Sequence, residues 1–222
     1  MKEKVRYDLS LLWEIGIAVA VPVAWCMMVY RPDENGLFSS VGLNSLKYFT
    51  VQSNFLAGIG SLLCVMEMLI HRNENGKLRS GWITLRLLGS ASLFLTFLTV
   101  VAFLGPLYGY ASMYKGANLW FHLIIPIASI LGVPLLRGEA ISKKQTLFAF
   151  VPISCYAVFY VSNIWINGIG VRPHSNDWYG LLNWGYGVGI VLLFILCAVI
   201  VGAFAALRWL YHRCNRRSET EV

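Results

Sequence analysis

Apolar residues in this chain run in long blocks rather than alternating with polar ones. Six blocks stand out, at approximately Leu9–Tyr30, Leu46–Ile70, Trp82–Leu107, Ala117–Leu136, Thr146–Ile166 and Leu182–Leu210. Each is long enough for the roughly 20-residue helix that crosses a hydrocarbon core. Polar turn formers separate them: Arg-Pro-Asp-Glu-Asn-Gly at 31–36, His-Arg-Asn-Glu-Asn-Gly-Lys at 71–77, Gly-Pro at 105–106 and Gly-Val-Arg-Pro-His-Ser-Asn-Asp at 170–177. The pattern predicts an all-α polytopic membrane protein. One domain, a six-transmembrane-helix bundle, uses up residues 1–222. No period typical of repeat proteins is present. Gln-Ser-Asn at 52–54 faintly echoes Val-Ser-Asn at 161–163, which is too little to establish an inverted repeat.

Composition agrees. The chain is 57% hydrophobic and 13% charged, where a water-soluble domain carries about a quarter charged residues. The net charge of +7 raises the question of nucleic acid, and its distribution answers it. Lys2, Lys4 and Arg6 precede the first block. Arg72, Lys77 and Arg79 lie between the second and third, and Arg137, Lys143 and Lys144 between the fourth and fifth. Arg208, Arg213, Arg216 and Arg217 close the chain, whereas the alternate connections hold only Arg31, Lys47, Lys115 and Arg172. Basic residues that flank spans stay in the cytoplasm, so both termini are expected there, in a multi-pass protein of the cell membrane. The basicity implies attraction to anionic lipid and no nucleic-acid partner. The first block is longer than a signal-peptide core and no small-residue cleavage site follows it. The five cysteines are dispersed and read as small apolar fillers.

Spacing at 100° per residue sorts the second span into two faces. Thr50, Ser53, Asn54, Ala57, Ser61 and Cys64 fall on one, and Phe55, Ile59, Leu62, Leu63, Met66 and Ile70 on the other. The small polar face is expected inside the bundle, where it packs closely and hydrogen-bonds. Gly185 and Gly189 form a second surface suited to helix packing. The charged residues inside spans, Glu14, Glu67, Arg86 and Arg208, lie near the cytoplasmic edge and are expected to snorkel to water, with Glu67 and Arg86 placed to pair across adjacent helices.

His122 sits one turn past Asn118, with Pro126 four residues on. Proline cannot donate to the carbonyl of residue 122, so the helix is expected to open beside the histidine. Asn118, His122, Pro126 and Ser129 share a face. Opened backbone in a membrane persists where it is buried in protein or lines a wet cavity. A titratable group there marks a functional site by default, the plain alternative being a histidine bonded to a neighbouring helix. Thr50 lies at a similar depth, about one turn below the outer edge. Threonine in a membrane helix commonly bonds back to its own backbone; paired with a histidine it becomes a hydroxyl nucleophile with its base. Asn54, Asn163, Asn167 and Asn183 belong to the same outer layer, with Trp and Tyr residues of the interfacial belt.

At these residues the chain resembles a known family. Tyr-Phe-Thr at 48–50 followed by Ser-Asn at 53–54, together with His122 and Pro126, is similar to the motifs of the androgen-induced membrane protein family. Its bacterial relatives are six-span proteins of this size, and its animal members are threonine hydrolases that cleave fatty acid esters of hydroxy fatty acids. The resemblance implies Thr50 as nucleophile, His122 as base and a lipid-like ester substrate. This chain has Val-Gln between Thr50 and Ser53, where the animal proteins are more aromatic. Ser53, Asn54, Asn118 and Asn163 are candidates for substrate or oxyanion contacts. Asp177 is a conceivable orienter of His122, and with His174 a conceivable zinc ligand, although no metal and no cofactor are expected. A protein that binds or transports a small molecule or lipid through the same pocket, without turnover, is the alternative, as is a scaffold.

Overall fold

The computed structural model describes residues 3–30, 42–72, 76–170 and 175–220. Six helices in it are long and apolar enough to cross a membrane: α1 (Glu3–Tyr30), α2 (Phe49–Ile70), α3 (Ser80–Tyr108), α4 (Ala117–Leu135), α5 (Lys144–Asn167) and α6 (Gly185–Arg216). The chain is a multi-pass membrane protein with no strand among the described residues. The helices run past the apolar blocks where polar residues continue the same turns, as Glu3 to Asp8 do in α1. The turn at 31–36 and His174 lie outside the described residues.

The predicted inner face of α2 is the buried one. Ser53, Asn54, Ala57, Ser61 and Cys64 are shut away, while Ile59, Leu62, Met66 and Ile70 stand out from the bundle. Small residues let α3 come close: a Cβ added at Gly89 would lie 2.5 Å from the Cα of Ala57. Gly185 and Gly189 do not behave this way. Neither has an atom within 4 Å of where a Cβ would stand, so the packing surface expected of them has no partner among the described residues.

The two ends of the bundle differ. At the end holding the start of α1 and the close of α6, backbone carbonyls are tied to side chains. Arg6 donates to the carbonyls of Pro134, Leu135 and Leu136, and Arg208 and His212 contact that of Ile141. A cation placed on the last carbonyls of a helix also offsets its dipole. Leu78 and Gly138 pair the two connections at this end, and a Cβ at Gly138 would be 2.0 Å from the Leu78 oxygen. The opposite end is aromatic. Tyr48 meets Trp178 and Tyr179 of the α5–α6 connection, Phe49 meets Tyr156 of α5, and Tyr160 meets Trp178, with ring centroids 4.8–6.5 Å apart.

The charged residues within spans do not snorkel as a set. Arg86 is fully buried and pairs with Glu14 of α1 at 2.6 Å. Glu67 pairs instead with Arg79, just before α3, also at 2.6 Å. The pairing expected between Glu67 and Arg86 is therefore corrected. Arg86 points across the bundle toward α1 and α4, while Glu67 faces the exposed connection.

Candidate active site

Two helices widen, and for one reason. α3 makes a π turn over Val100–Leu104 and α4 another over Trp120–Ile124. Each ends at a residue followed by proline: the Gly105 N–H bonds to the Val100 carbonyl, and the Ile125 N–H to the Trp120 carbonyl. Pro106 and Pro126 bring no N–H, so the carbonyls of Val101 and Phe121 lose their partner within the helix. Both are rescued by side chains. The Tyr110 hydroxyl donates to Val101 O at 2.8 Å, and the Asn54 amide donates to Phe121 O at 3.2 Å. The opening expected beside His122 is thus a π turn with His122 at its centre.

Thr50, Asn118 and His122 line one small cavity with Met28, Tyr48, Val51, Leu104 and Tyr179. Its volume of about 20 Å³ holds a single water. Thr50 is the second residue of α2, and the carbonyls three and four residues behind it, of Lys47 and Leu46, accept instead from Tyr156 and Gln52. Among the described residues its hydroxyl has no hydrogen-bond partner. The back-bonding that usually occupies a membrane threonine is absent.

His122 is 5% exposed, and its Nδ1 lies 2.8 Å from the Met113 carbonyl. A carbonyl only accepts, so Nδ1 carries the proton and Nε2 keeps its lone pair. Met113 is itself fully buried in the α3–α4 connection. The residue that orients the imidazole is therefore a backbone carbonyl. Asp177 is engaged elsewhere: its carboxylate accepts from Tyr160 and from the N–H groups of Leu181 and Leu182 at 2.9 and 3.0 Å. It fixes the turn before α6 and does not reach His122. No cluster of three metal-binding side chains occurs among the described residues.

The amide and hydroxyl candidates divide. Asn54 uses both N–H bonds on carbonyls, Thr50 O at 2.7 Å and Phe121 O at 3.2 Å. Two carbonyls fix which end of the amide is nitrogen, so Asn54 has no N–H left for an oxyanion. Ser53 bonds to Thr50 O and to Thr96 Oγ1, at 3.0 and 3.1 Å. Asn163 bonds with Asn176 and Asn167 toward the end of α5 and does not line the cavity. Asn118, 1% exposed, is the candidate amide that does. Tyr179 is the wall residue that spacing did not suggest, since it comes from a connection rather than a span. Its hydroxyl accepts the Phe49 N–H at 3.0 Å, and burial pushes the phenol up to about 12, so it stays protonated at neutral pH. Comparison with family models, characterised proteins and solved structures gives no match for this chain.

Proposed function

We propose that the chain is a membrane threonine hydrolase that cleaves a lipid-like fatty-acyl ester, with Thr50 as nucleophile and His122 as base. The observation that carries this reading is a hydroxyl without a partner among the described residues and a histidine lining one cavity the size of a water. In this mechanism Thr50 Oγ1 attacks the ester carbonyl carbon and its proton passes to His122 Nε2. The tetrahedral intermediate collapses, and the alcohol leaves with the proton from His122. A water then loses a proton to Nε2 and attacks the acyl-threonine, and the second tetrahedral intermediate breaks to the carboxylic acid as His122 returns that proton to Thr50 Oγ1. Asn118 is the amide in reach of the cavity for the developing oxyanion, a contact typically worth ~3 kcal/mol. A cavity this small admits substrate only after its wall moves.

The basic residues at the Arg6 end support a cell-membrane protein with both termini in the cytoplasm and the Thr50 cavity toward the outer leaflet. A reporter fused after Val222 should read as cytoplasmic, and reading from outside would reverse the leaflet from which substrate enters. The chemistry is tested with purified protein in nanodiscs, a chromogenic fatty-acyl ester and a fluorophosphonate probe. Turnover and a covalent label mapped to Thr50 are the expected results. Turnover with the label mapped to another residue would end this mechanism, and no turnover would favour the binding or transport alternative.

A further inference from the structure

A second space in the bundle is far roomier than the Thr50 cavity. A groove of about 660 Å³ separates α5 from α2 and α3. Its walls include Leu56, Leu85, Leu88, Phe148, Val151 and Pro152, and it follows α5 from Gln145 to Tyr156, about 19 Å at the rises of its 3-10 start and α-helical remainder. Three membrane spans form it, so its surroundings are hydrocarbon and not water.

The polar side chains in the wall are each bonded within the protein. Gln52 donates to Leu46 O at 2.8 Å, Ser53 to Thr50 O at 3.0 Å and Thr84 to Ser80 O at 2.7 Å. Gln145 donates to Thr84 Oγ1 at 3.0 Å. An occupant therefore finds little unspent hydrogen bonding along the groove and gains chiefly from filling it. Left empty, a space of this size forfeits the dispersion contacts of its lining.

One end of the groove is electrically distinct. Gln145 and Thr84 mark it, and Lys143 and Lys144 stand beside it at the start of α5, both exposed. Among the described residues neither lysine has an ion-pair partner. The positive end of the α5 dipole points the same way. The other end is closed by Phe49 against Tyr156, ring centroids 5.2 Å apart.

We propose that this groove seats one acyl chain of an anionic phospholipid, with the lipid phosphate held at Lys143 and Lys144. The lipid is a resident part of the bundle that completes the packing of α5 against α2 and α3. It is not the substrate of the Thr50 cavity, and the proposal stands whether or not the chain is a hydrolase.

The full chain purified in a maltoside detergent should retain about one phospholipid by native mass spectrometry. From nanodiscs of equal phosphatidylglycerol and phosphatidylcholine the retained lipid should be phosphatidylglycerol. The Lys143→Gln/Lys144→Gln variant changes only exposed residues and should cut that preference on the order of tenfold, given the usual strength of a lysine near an anionic headgroup. Cys155 lines the groove and is exposed, so Cys155→Trp should fill it and lower retention. If that variant does not fold, the native thiol serves: phosphatidylglycerol should slow alkylation of Cys155 by a lipid-soluble maleimide. Equal retention of both lipids, an unchanged ratio in the lysine variant, or Cys155 reacting at one rate with and without lipid would each overturn the proposal.

Discussion

Two polar clusters lie in the same bundle and have opposite chemistry. Around Arg86 everything is paired. Its five N–H donors go to Glu14 twice, to Ser90, and to the hydroxyl and carbonyl of Ser129, at 2.5–3.2 Å. Ser90 and Ser129 bond to each other at 3.0 Å, and the arginine side chain is 0% exposed. Around Thr50 the groups are uncharged and several are idle. The threonine hydroxyl and His122 Nε2 lack partners among the described residues, and Asn54 Oδ1 is buried with none. Charge alone would rank the first cluster as the functional one. A cluster with no donor or acceptor to spare can hold three helices together but has nothing left to offer a substrate. Unspent hydrogen-bonding capacity beside a small void points the other way.

The sharpest break of this contrast is kinetic. Thr50→Ala should lower ester turnover by ~10⁵-fold and remove probe labelling, as expected when a nucleophile is deleted. It should leave the melting temperature nearly unchanged, because the deleted hydroxyl bonds to nothing among the described residues. Thr50→Ser keeps the oxygen with a freer χ1 and should retain part of the activity. His122→Ala should also stop turnover while the protein stays folded. In the wild type turnover should fall as the pH is lowered, because an imidazolium has no lone pair at Nε2 to take the Thr50 proton. Equal turnover by wild type and Thr50→Ala would show that the idle groups are not the chemistry.

The paired cluster should respond in stability and not in turnover. Arg86→Met leaves the Glu14 carboxylate buried and alone, which costs about 3–5 kcal/mol. A large drop in melting temperature in detergent, or loss of folded protein, is the readout. Replacing both partners, Glu14→Leu with Arg86→Met, should recover most of it, since a buried ion pair exchanged for apolar residues is often neutral. A double variant as unstable as the single one would mean that the pair holds more than its own charge.

The difference between the clusters also decides what was legible in the sequence. The six spans and the buried face of α2 follow from the hydrophobic blocks and from 100° spacing, which depend on local order alone. His122 beside an opened turn was legible because Pro126 removes a specific N–H. Partners across the bundle were not. Glu14 and Arg86 are 72 residues apart, and spacing within one helix says nothing of which neighbour a long side chain meets. Asn163 looked equivalent to Asn54 by depth, yet it turns toward Asn176 while Asn54 reaches α4. Tyr179 and the Met113 carbonyl come from connections, whose path follows from packing rather than periodicity.

The two proline-linked π turns allow the smallest and most discriminating test. Both leave one carbonyl without a helical partner, and both are repaired by a side chain, so they serve as controls for each other. Asn54→Ala strips its donor from Phe121 O and also from Thr50 O, in a fully buried place. Unsatisfied buried groups cost about 1–3 kcal/mol, so stability should fall by less than in Arg86→Met. Because those carbonyls belong to the nucleophile and to the neighbour of the base, kcat should fall as well, while probe still labels Thr50. Tyr110→Phe removes the equivalent bond to Val101 O. Tyr110 is 45% exposed, and water or a headgroup can take over, so the cost should be within about 0.5 kcal/mol. Val101 does not line the Thr50 cavity, so kcat should not change. Equal kinetic losses in the two variants would mean that the π turns act through the fold as a whole, and that Asn54 has no special bearing on Thr50 and His122.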